Sequence, residues 1–192
     1  MSLSPPESVG KLQVALHAKA KGSPEYRFYS LYDKVYRADV LGYAYRLCRA
    51  NGGVAGVDGQ RFDDIETYGV ERWLGELTEE LRTKRYRPEA VRRVHIPKPG
   101  RPGRTRPLGI PTIRDRVAMT AVVVVLSPIY EPDLQPEQYA YRTGRNALDA
   151  VRHVHALLKS RHWEVIEADL SGYLETSPQC TSFHRVPSRR AC

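Results

Sequence analysis

Asp169 is the carboxylate whose surroundings most clearly indicate chemistry. It follows the apolar-rich stretch VIEA, residues 165–168, and precedes a Gly-aromatic turn, SGY. An aspartate at a strand end ordinarily caps a turn or a helix, and the alternative is a metal ligand. Mg²⁺ takes one or two carboxylates together with substrate phosphates, and two-metal phosphoryl transfer needs at least two carboxylates around ions ~4 Å apart. Asp169 alone therefore supplies one ligand, and the predicted site is incomplete.

Lys98 and Arg106 flank the Gly/Pro-rich tip of HIPKPGRPGRTRPLGIPT, residues 95–112. The alternation of apolar and basic residues on both sides of this tip predicts an antiparallel hairpin of residues 91–97 and 104–110. Lysine acts as a point charge and arginine as a fork, so the two side chains are able to grip one triphosphate. The stretch lacks the Gly-Lys-Ser/Thr ending of a P-loop, and an ordinary basic hairpin is the alternative.

The basic residues concentrate in residues 82–106. This segment carries ten basic residues and one acidic residue, a net +9, whereas the whole chain has a net charge of +8. Most of the ten are arginines interleaved with Pro and Gly, and arginine binds phosphate oxygens bidentately. A polyanionic partner is therefore favoured over a solvated basic face. The residues expected to contact it are Arg92, Arg93, Arg101 and Arg104.

The N-terminal third is predicted to be helical after a flexible start. Residues 1–22 are rich in Pro, Ser, Gly and Lys and are expected to be flexible. A helix is predicted to begin at the Ser23 cap and Pro24 and to carry a tyrosine stripe that ends at Val40. A second helix is predicted to stop at NGG, residues 51–53, before a glycine-rich loop.

Three further helices and a strand are predicted beyond that loop. The helices are an amphipathic one in residues 70–86, a buried one in residues 113–131 that kinks or ends near Pro128, and an amphipathic one in residues 146–160. The stretch WEVIEADL, residues 163–170, is predicted as a strand. The residues expected to face inward on the last helix are Ala147, Val151, Val154 and Leu158. This order of elements predicts an α+β fold.

The three cysteines, Cys48, Cys180 and Cys192, are too few and too scattered for a disulfide framework or a zinc site. The N-terminus lacks the apolar core of a signal peptide. The longest apolar run, residues 117–126, is about half of a membrane span. These features favour a soluble, cytoplasmic protein without membrane contact.

Four ordered blocks resemble the group II intron-encoded reverse transcriptase/maturase family. GVAGVDG, residues 53–59, is similar to its N-terminal extension motif, and residues 86–121 resemble the fingers hairpin and the following helix. EQYAYRTGRNALDAV, residues 137–151, is similar to the next block. EADLSGYLET, residues 167–176, resembles the first palm motif. The resemblance runs from about residue 31 to residue 178.

The resemblance implies the fingers and partial palm of a right-hand polymerase, preceded by a helical extension. The implied divisions are a flexible N-terminus at 1–22, a helical N-terminal extension at 23–88, fingers at 89–162, the start of the palm at 163–178, and an aberrant, disordered tail at 179–192. The tail shows neither helical nor strand periodicity. It is typical of a frameshifted or prematurely ended reading frame.

The resemblance also assigns roles to individual residues. Asp169 would be the first catalytic, metal-binding aspartate of a two-Mg²⁺ site, and Arg145 would lie near the RNA template. Nucleotide-binding roles fall on Lys98, Arg106, Leu170, Arg142 and Gly144. Arg114, Asp115 and Arg116 match a helix-start motif, for which a structural role in a cap and salt bridges and direct RNA contact stay open alternatives.

Two functions follow from the resemblance. One is the N-terminal part of an RNA-directed DNA polymerase that copies intron RNA and assists its splicing, and the other is a catalytically inactive RNA-binding remnant. The Tyr-x-Asp-Asp motif with the remaining catalytic aspartates should lie beyond residue 192, so the chain is expected not to polymerise DNA alone. A DNA-binding regulator is disfavoured because no helix-turn-helix carries the basic residues.

The partners implied by the resemblance are group II intron RNA, an RNA template with a DNA primer, and deoxynucleoside triphosphates. Mg²⁺ is the implied cofactor. A homodimer is left open.

Overall fold

The computed structural model describes residues 3–98, 100, 103–166 and 168. The chain divides into two compact units, one ending at Pro132 and the next starting at Asp133. Across the described residues the helices are α1 Glu7–Gly22, α2 Tyr32–Val35, α3 Ala38–Asn51, α4 Phe62–Tyr68, α5 Val70–Arg82, α6 Ile113–Tyr130 and α7 Ala147–Lys159. The strands β1 Arg92–Pro97 and β2 Thr105–Ile110 form one antiparallel sheet, and a 3-10 helix covers Glu131–Asp133. Mixed helix and sheet agree with the predicted α+β class.

Helix α6 lies at the centre of the first unit. It is apolar around much of its circumference and packs against α1, α2 and α3. Val117, Ala121 and Val125 are completely buried on it. The predicted helix, 113–131, is confirmed to within one residue, since α6 ends at Tyr130, and Pro128 lies in its last turn, as predicted for a helix that ends near this proline. α5 packs against α3 and α4 and closes the other side of the core.

The expectation of a flexible segment at residues 1–22 is wrong for residues 7–22. Val9, Leu16 and Ala20 lie on one face of α1 and are buried. The side-chain amide of Gln13 donates to the carbonyl of Val124 in α6 at 3.1 Å. Burial of one apolar stripe against α6 therefore stabilises a helix whose overall composition is polar.

The helix predicted to start at Ser23 and Pro24 does not form as expected. Residues 24–31 are a turn followed by irregular backbone, and helical structure begins only with the short α2. The hydroxyl of Tyr32 donates to the carbonyl of Leu81 at 2.6 Å. Tyr32 is thus anchored to α5 by a tertiary hydrogen bond, and its helical spacing from the neighbouring tyrosines does not reflect one continuous helix. α3 confirms the second predicted helix, which ends before Gly52.

In the second unit α7 forms as predicted, but its apolar side chains do not face inward. Val151 is 63% exposed, and Val154 and Leu158 are also exposed. No element among the described residues of this unit covers them. Residues 163–166, predicted to begin a strand, are irregular and exposed. A strand needs a partner to satisfy its backbone groups, and the described part of this unit offers none. Most of the predicted palm segment and all of the tail lie outside the described residues.

None of the helices in the described residues combines the length and the hydrophobicity that a membrane-spanning segment needs.

Candidate nucleic-acid interface

The predicted hairpin is present, with the expected antiparallel pairing. Ile96 lies opposite Arg106 and Pro97 opposite Thr105. The backbone N–H of Lys98 donates to the carbonyl of Arg104 at 2.9 Å, which extends the pairing by one residue towards the tip. The prediction that residues 91–97 and 104–110 pair as a hairpin is confirmed.

The pairing also determines which basic side chains share a face. Directly opposite residues lie on the same face, and successive residues alternate between faces. Ile96 and Arg106 therefore share one face with Lys98 and Arg104, two positions nearer the tip. Arg93 lies on the opposite face. The register is thus compatible with Lys98 and Arg106 approaching one anion, and that contact stays a prediction.

The charges of the hairpin are exposed and carry no ion pairs in the described part of the chain. The side chains concerned are Arg92, Arg93, Lys98, Arg104 and Arg106. By contrast Arg82, at the end of α5, pairs with Glu79 through two hydrogen bonds of 2.9 and 2.8 Å. Arg101 lies outside the described residues. The hairpin therefore presents uncompensated positive charge to solvent, as an anion-binding surface requires.

Asp115 fixes the base of the hairpin. It is 4% exposed and accepts hydrogen bonds from the hydroxyl of Tyr86, from the backbone N–H of Glu89 at 3.1 Å and from Oγ1 of Thr112 at 2.9 Å. Thr112 in turn caps α6, because its Oγ1 accepts the backbone N–H of Asp115 at 3.1 Å. One buried carboxylate thus connects the chain before β1 with the chain after β2.

The two arginines beside Asp115 also make structural contacts. Nη2 of Arg114 lies 2.7 Å from a carboxylate oxygen of Glu80 in α5. Arg116 donates from Nη1 to the carbonyl of Gly52 at 3.2 Å and from Nη2 to the carbonyl of Val54 at 2.7 Å. Of the two alternatives left open by the sequence, these contacts support the structural role in a cap and salt bridges.

The glycines of GVAGVDG allow this loop to lie against the start of α6. A Cβ on Gly56 would stand 2.7 Å from both Cα and N of Thr112. A Cβ on Gly53 would stand 2.9 Å from Nη1 of Arg116, and its φ of 105° disfavours other residues. The loop and the hairpin base are therefore held by the same helix terminus.

A cavity of about 460 Å³ opens between this loop and the hairpin. Its lining consists of Arg49, Gly53, Val54, Ala55, Arg61, Phe62, Asp63 and Arg92. The positive charge of Arg49 is balanced by ion pairs with Glu66 at 2.7 Å and with Asp63 at 3.1 Å. Arg92, the first residue of β1, lines this cavity and also belongs to the basic hairpin. No sequence pattern pointed to Arg49 and Arg61, because tertiary contacts alone bring them beside Arg92.

The Tyr86–Asp115 contact makes a testable contribution to stability at high pH. Burial, followed by the hydrogen bond to Asp115, raises the pKa of the Tyr86 hydroxyl. The folded state therefore holds this proton more tightly than the unfolded state. The contribution of the Tyr86–Asp115 contact to the free energy of unfolding should be constant below the unfolded-state tyrosine pKa of about 10. Above that pH it should fall by up to about 1.4 kcal/mol per pH unit.

Urea unfolding of the wild type and of Tyr86→Phe between about pH 9 and 12 tests this expectation. Tyr86→Phe should show a weaker loss of unfolding free energy above about pH 10. Parallel pH profiles for the two proteins would contradict the assignment.

The remaining predicted site residues lie in the second unit or outside the described residues. Nη1 of Arg142 donates to the carbonyl of Gln135 at 2.8 Å, and the guanidinium of Arg145 lies 5.4 Å from the ring centre of Tyr139. Gly144, in the same turn, has a φ of 76° that favours glycine. These three residues share one turn before α7, and their predicted roles stay predictions.

Asp169 and Leu170 lie outside the described residues, so their predicted roles in metal and nucleotide binding also stay predictions. No group of three or more His, Cys, Asp or Glu side chains within residues 3–98, 100, 103–166 and 168 could hold a metal ion.

No protein-family model matches the chain. Protein YkfC of Escherichia coli K12 is 34% identical over 175 residues, which cover 88% of this chain and 45% of YkfC. The group II intron-encoded protein LtrA of Lactococcus lactis is 29% identical over 154 residues, which cover 80% of this chain and 25% of LtrA. A 91 kDa protein in the cob intron of Schizosaccharomyces pombe is 25% identical over 146 residues, 76% of this chain and 18% of that protein. The chain thus spans less than half the length of each of these relatives.

Proposed function

We propose, from the homology of this chain to group II intron-encoded proteins, that it forms the intron-RNA-binding fingers and the start of the palm of a reverse transcriptase/maturase. The observation that carries the proposal is the exposed hairpin, whose basic side chains have no ion pairs among the described residues. Free arginine forks suit phosphate oxygens. A protein encoded within an intron has that RNA as its nearest polyanionic partner.

The rigid base of the hairpin supports the same proposal. Asp115 holds Glu89 and Thr112, and Arg116 holds the GVAGVDG loop beside the hairpin. Fixed backbone at the base lowers the conformational entropy lost when the basic side chains bind a polyanion. The cavity beside Arg92 extends the surface that RNA could contact.

The proposed enzymatic role is RNA-templated DNA synthesis by the whole protein, in a right-hand polymerase fold. Lys98 and Arg106 would neutralise the incoming triphosphate, with Arg142, Gly144 and Leu170 as further nucleotide contacts. Asp169 would supply one carboxylate to Mg²⁺, which stabilises the charge that develops during phosphoryl transfer.

A catalytically inactive RNA-binding protein is the second candidate, because the exposed basic hairpin could bind RNA without any catalytic carboxylate. Primer extension on an RNA template, with wild type and Asp169→Ala compared, separates the two candidates. Extension that depends on Asp169 supports the polymerase. RNA binding without extension supports the second candidate.

The RNA-binding proposal is tested by replacing four hairpin arginines with glutamine, namely Arg92, Arg93, Arg104 and Arg106. RNA affinity should fall, and the plot of log affinity against log salt should become shallower by about 0.7–0.9 for each phosphate that the variant no longer binds. Filter binding at several salt concentrations measures both quantities.

A control variant with the same loss of charge separates local contacts from net charge. It replaces four basic residues on helices away from the hairpin, namely Lys11, Arg46, Arg72 and Arg152. Three of these belong to exposed ion pairs, whose loss should cost little stability, about 0–1 kcal/mol each. A hairpin variant that keeps the wild-type slope, or a control that loses as much slope, would place the RNA surface elsewhere.

A further inference from the structure

The segment between α1 and α2 exposes aromatic rings beside basic side chains. Tyr29 is 83% exposed and Tyr26 is 44% exposed, on irregular backbone that follows α1. An exposed tyrosine is ordinary by itself. Here, however, three aromatic rings occur within four residues, at positions 26, 28 and 29, so aromatic side chains are concentrated in one short segment.

Contacts with neighbouring side chains hold two of these rings, Tyr26 and Phe28, in place. Tyr26 and Phe28 meet edge to face, with ring centres 5.0 Å apart and an angle of 86° between their planes. Phe28 also packs on the hydrophobic core, and Nζ of Lys19 lies 4.2 Å from the ring centre of Tyr26. In the described part of the chain Tyr29 makes no ring or cation contact. Its ring is therefore available to a partner, beside neighbours that are already ordered.

The charges and composition indicate which partner fits. Lys19, Lys21 and Arg27 are exposed, and Glu25 is the acidic residue within residues 18–29, a net +2. The stretch SPEYRFYS, residues 23–30, contains no Ala, Val, Leu, Ile or Met, so its apolar surface comes from aromatic rings and Pro24. Rings alternating with cations suit single-stranded nucleic acid, whose bases stack on aromatic faces while its phosphates meet Lys and Arg.

We propose that this surface, formed by Lys19, Lys21, Tyr26, Arg27 and Tyr29, binds single-stranded RNA by base stacking on Tyr29. It is a second RNA contact, separate from the hairpin. The inference rests on the proposed function, since it assumes that the chain binds RNA. The hairpin attracts phosphates by charge, whereas Tyr29 selects RNA whose bases are unpaired.

The test compares wild type, Tyr29→Ala and Tyr29→Phe on an unstructured RNA oligomer and on an RNA duplex of equal length. Tyr29→Ala should weaken binding of the single strand about 5- to 150-fold, the range for one stacked base. The dependence of log affinity on log salt should stay unchanged, because no charge is removed. Tyr29→Phe keeps the ring and should bind the single strand like the wild type, and duplex affinity should be the same for all three proteins.

Several outcomes would overturn the inference. Unchanged single-strand affinity in Tyr29→Ala excludes stacking on this ring, and equal losses on both RNAs exclude selection of unpaired bases. A loss in Tyr29→Phe as large as in Tyr29→Ala would identify a hydroxyl contact instead. If the four-arginine hairpin variant loses affinity and Tyr29→Ala does not, only this inference fails. If the wild type binds neither RNA, the proposed function fails with it.

Discussion

Replacing Asp115 with alanine is expected to lower the free energy of unfolding by about 3–5 kcal/mol. The carboxylate is buried and accepts hydrogen bonds from Tyr86, Glu89 and Thr112. Alanine would remove the acceptor of all three donors, of which the Thr112 hydroxyl is buried, the Tyr86 hydroxyl is half-buried and the backbone N–H belongs to the exposed Glu89. Each unsatisfied donor costs about 1–3 kcal/mol, and partial relaxation of the hairpin base should recover part of the sum.

Asp64 offers a matched control for this measurement. Both aspartates occupy the third position of a helix, but Asp64 is exposed and accepts a backbone hydrogen bond from the N–H of Arg61 at 2.7 Å. Asp64→Ala should therefore cost only about 0.5–1.5 kcal/mol. Urea unfolding gives both values. Similar losses for the two variants would mean that Asp115 acts as an ordinary helix cap and does not hold the base of the hairpin.

The elements that the sequence predicted well are those specified by local patterns. Alternating residues around a Gly/Pro tip predicted the β1–β2 hairpin, and the structure confirms its pairing. The amphipathic period of residues 70–86 predicted α5, which ends at Arg82 and buries Trp73, Leu77 and Leu81. In both cases the pattern specifies which backbone hydrogen bonds form and which face is apolar. Neither requires knowledge of a distant partner.

The elements that were missed depend on tertiary partners. Helix α1 forms because Val9, Leu16 and Ala20 reach α6, and a composition rich in Lys, Ser and Gly concealed this stripe. The tyrosines before α3 have helical spacing, yet Tyr32 bonds to Leu81 from a helix of only four residues. For α7 the period predicted the helix correctly but could not show whether another element covers its apolar face.

The candidate site also has one part that local sequence predicted and another part that only tertiary contacts create. The basic hairpin was predictable because its charges are contiguous in sequence. The placement of Arg49 and Arg61 beside Arg92 was not, since the loop, α3 and α4 meet only in the folded chain. The resemblance singled out the motif that contains Asp115 without showing which contacts the motif makes. Its buried hydrogen bonds indicate that it positions the hairpin.

Gly56→Ala is expected to lower the free energy of unfolding by about 3 kcal/mol, the upper end of the usual cost of overpacking. The added Cβ would lie 2.7 Å from Cα and N of Thr112 and 3.0 Å from the carbonyl carbon of Pro111. These are backbone atoms at the start of α6, so no flexible side chain can move aside. Relief of the clash must shift either the GVAGVDG loop or Thr112, whose hydroxyl caps α6 and bonds to Asp115.

Gly75→Ala is the matched control, because the same methyl group is added where space is free. Gly75 lies exposed within α5, and a Cβ added there would meet no atom of another element within 4 Å. Alanine at this position should raise the free energy of unfolding by about 0.5–1 kcal/mol through its higher helix propensity. The two Gly→Ala changes should thus differ in sign in a single series of urea unfolding curves.

A double variant tests whether the Gly56 clash acts through Thr112. If the methyl group displaces Thr112, part of the hydrogen bonding to Asp115 is already absent in Gly56→Ala. Adding Asp115→Ala should then cost less than it does alone, with a coupling energy of about 0.5–3 kcal/mol. Strictly additive losses would mean that the loop yields and Thr112 stays in place. Wild-type stability for Gly56→Ala itself would show that a Cβ at this position does not clash with the backbone of Thr112.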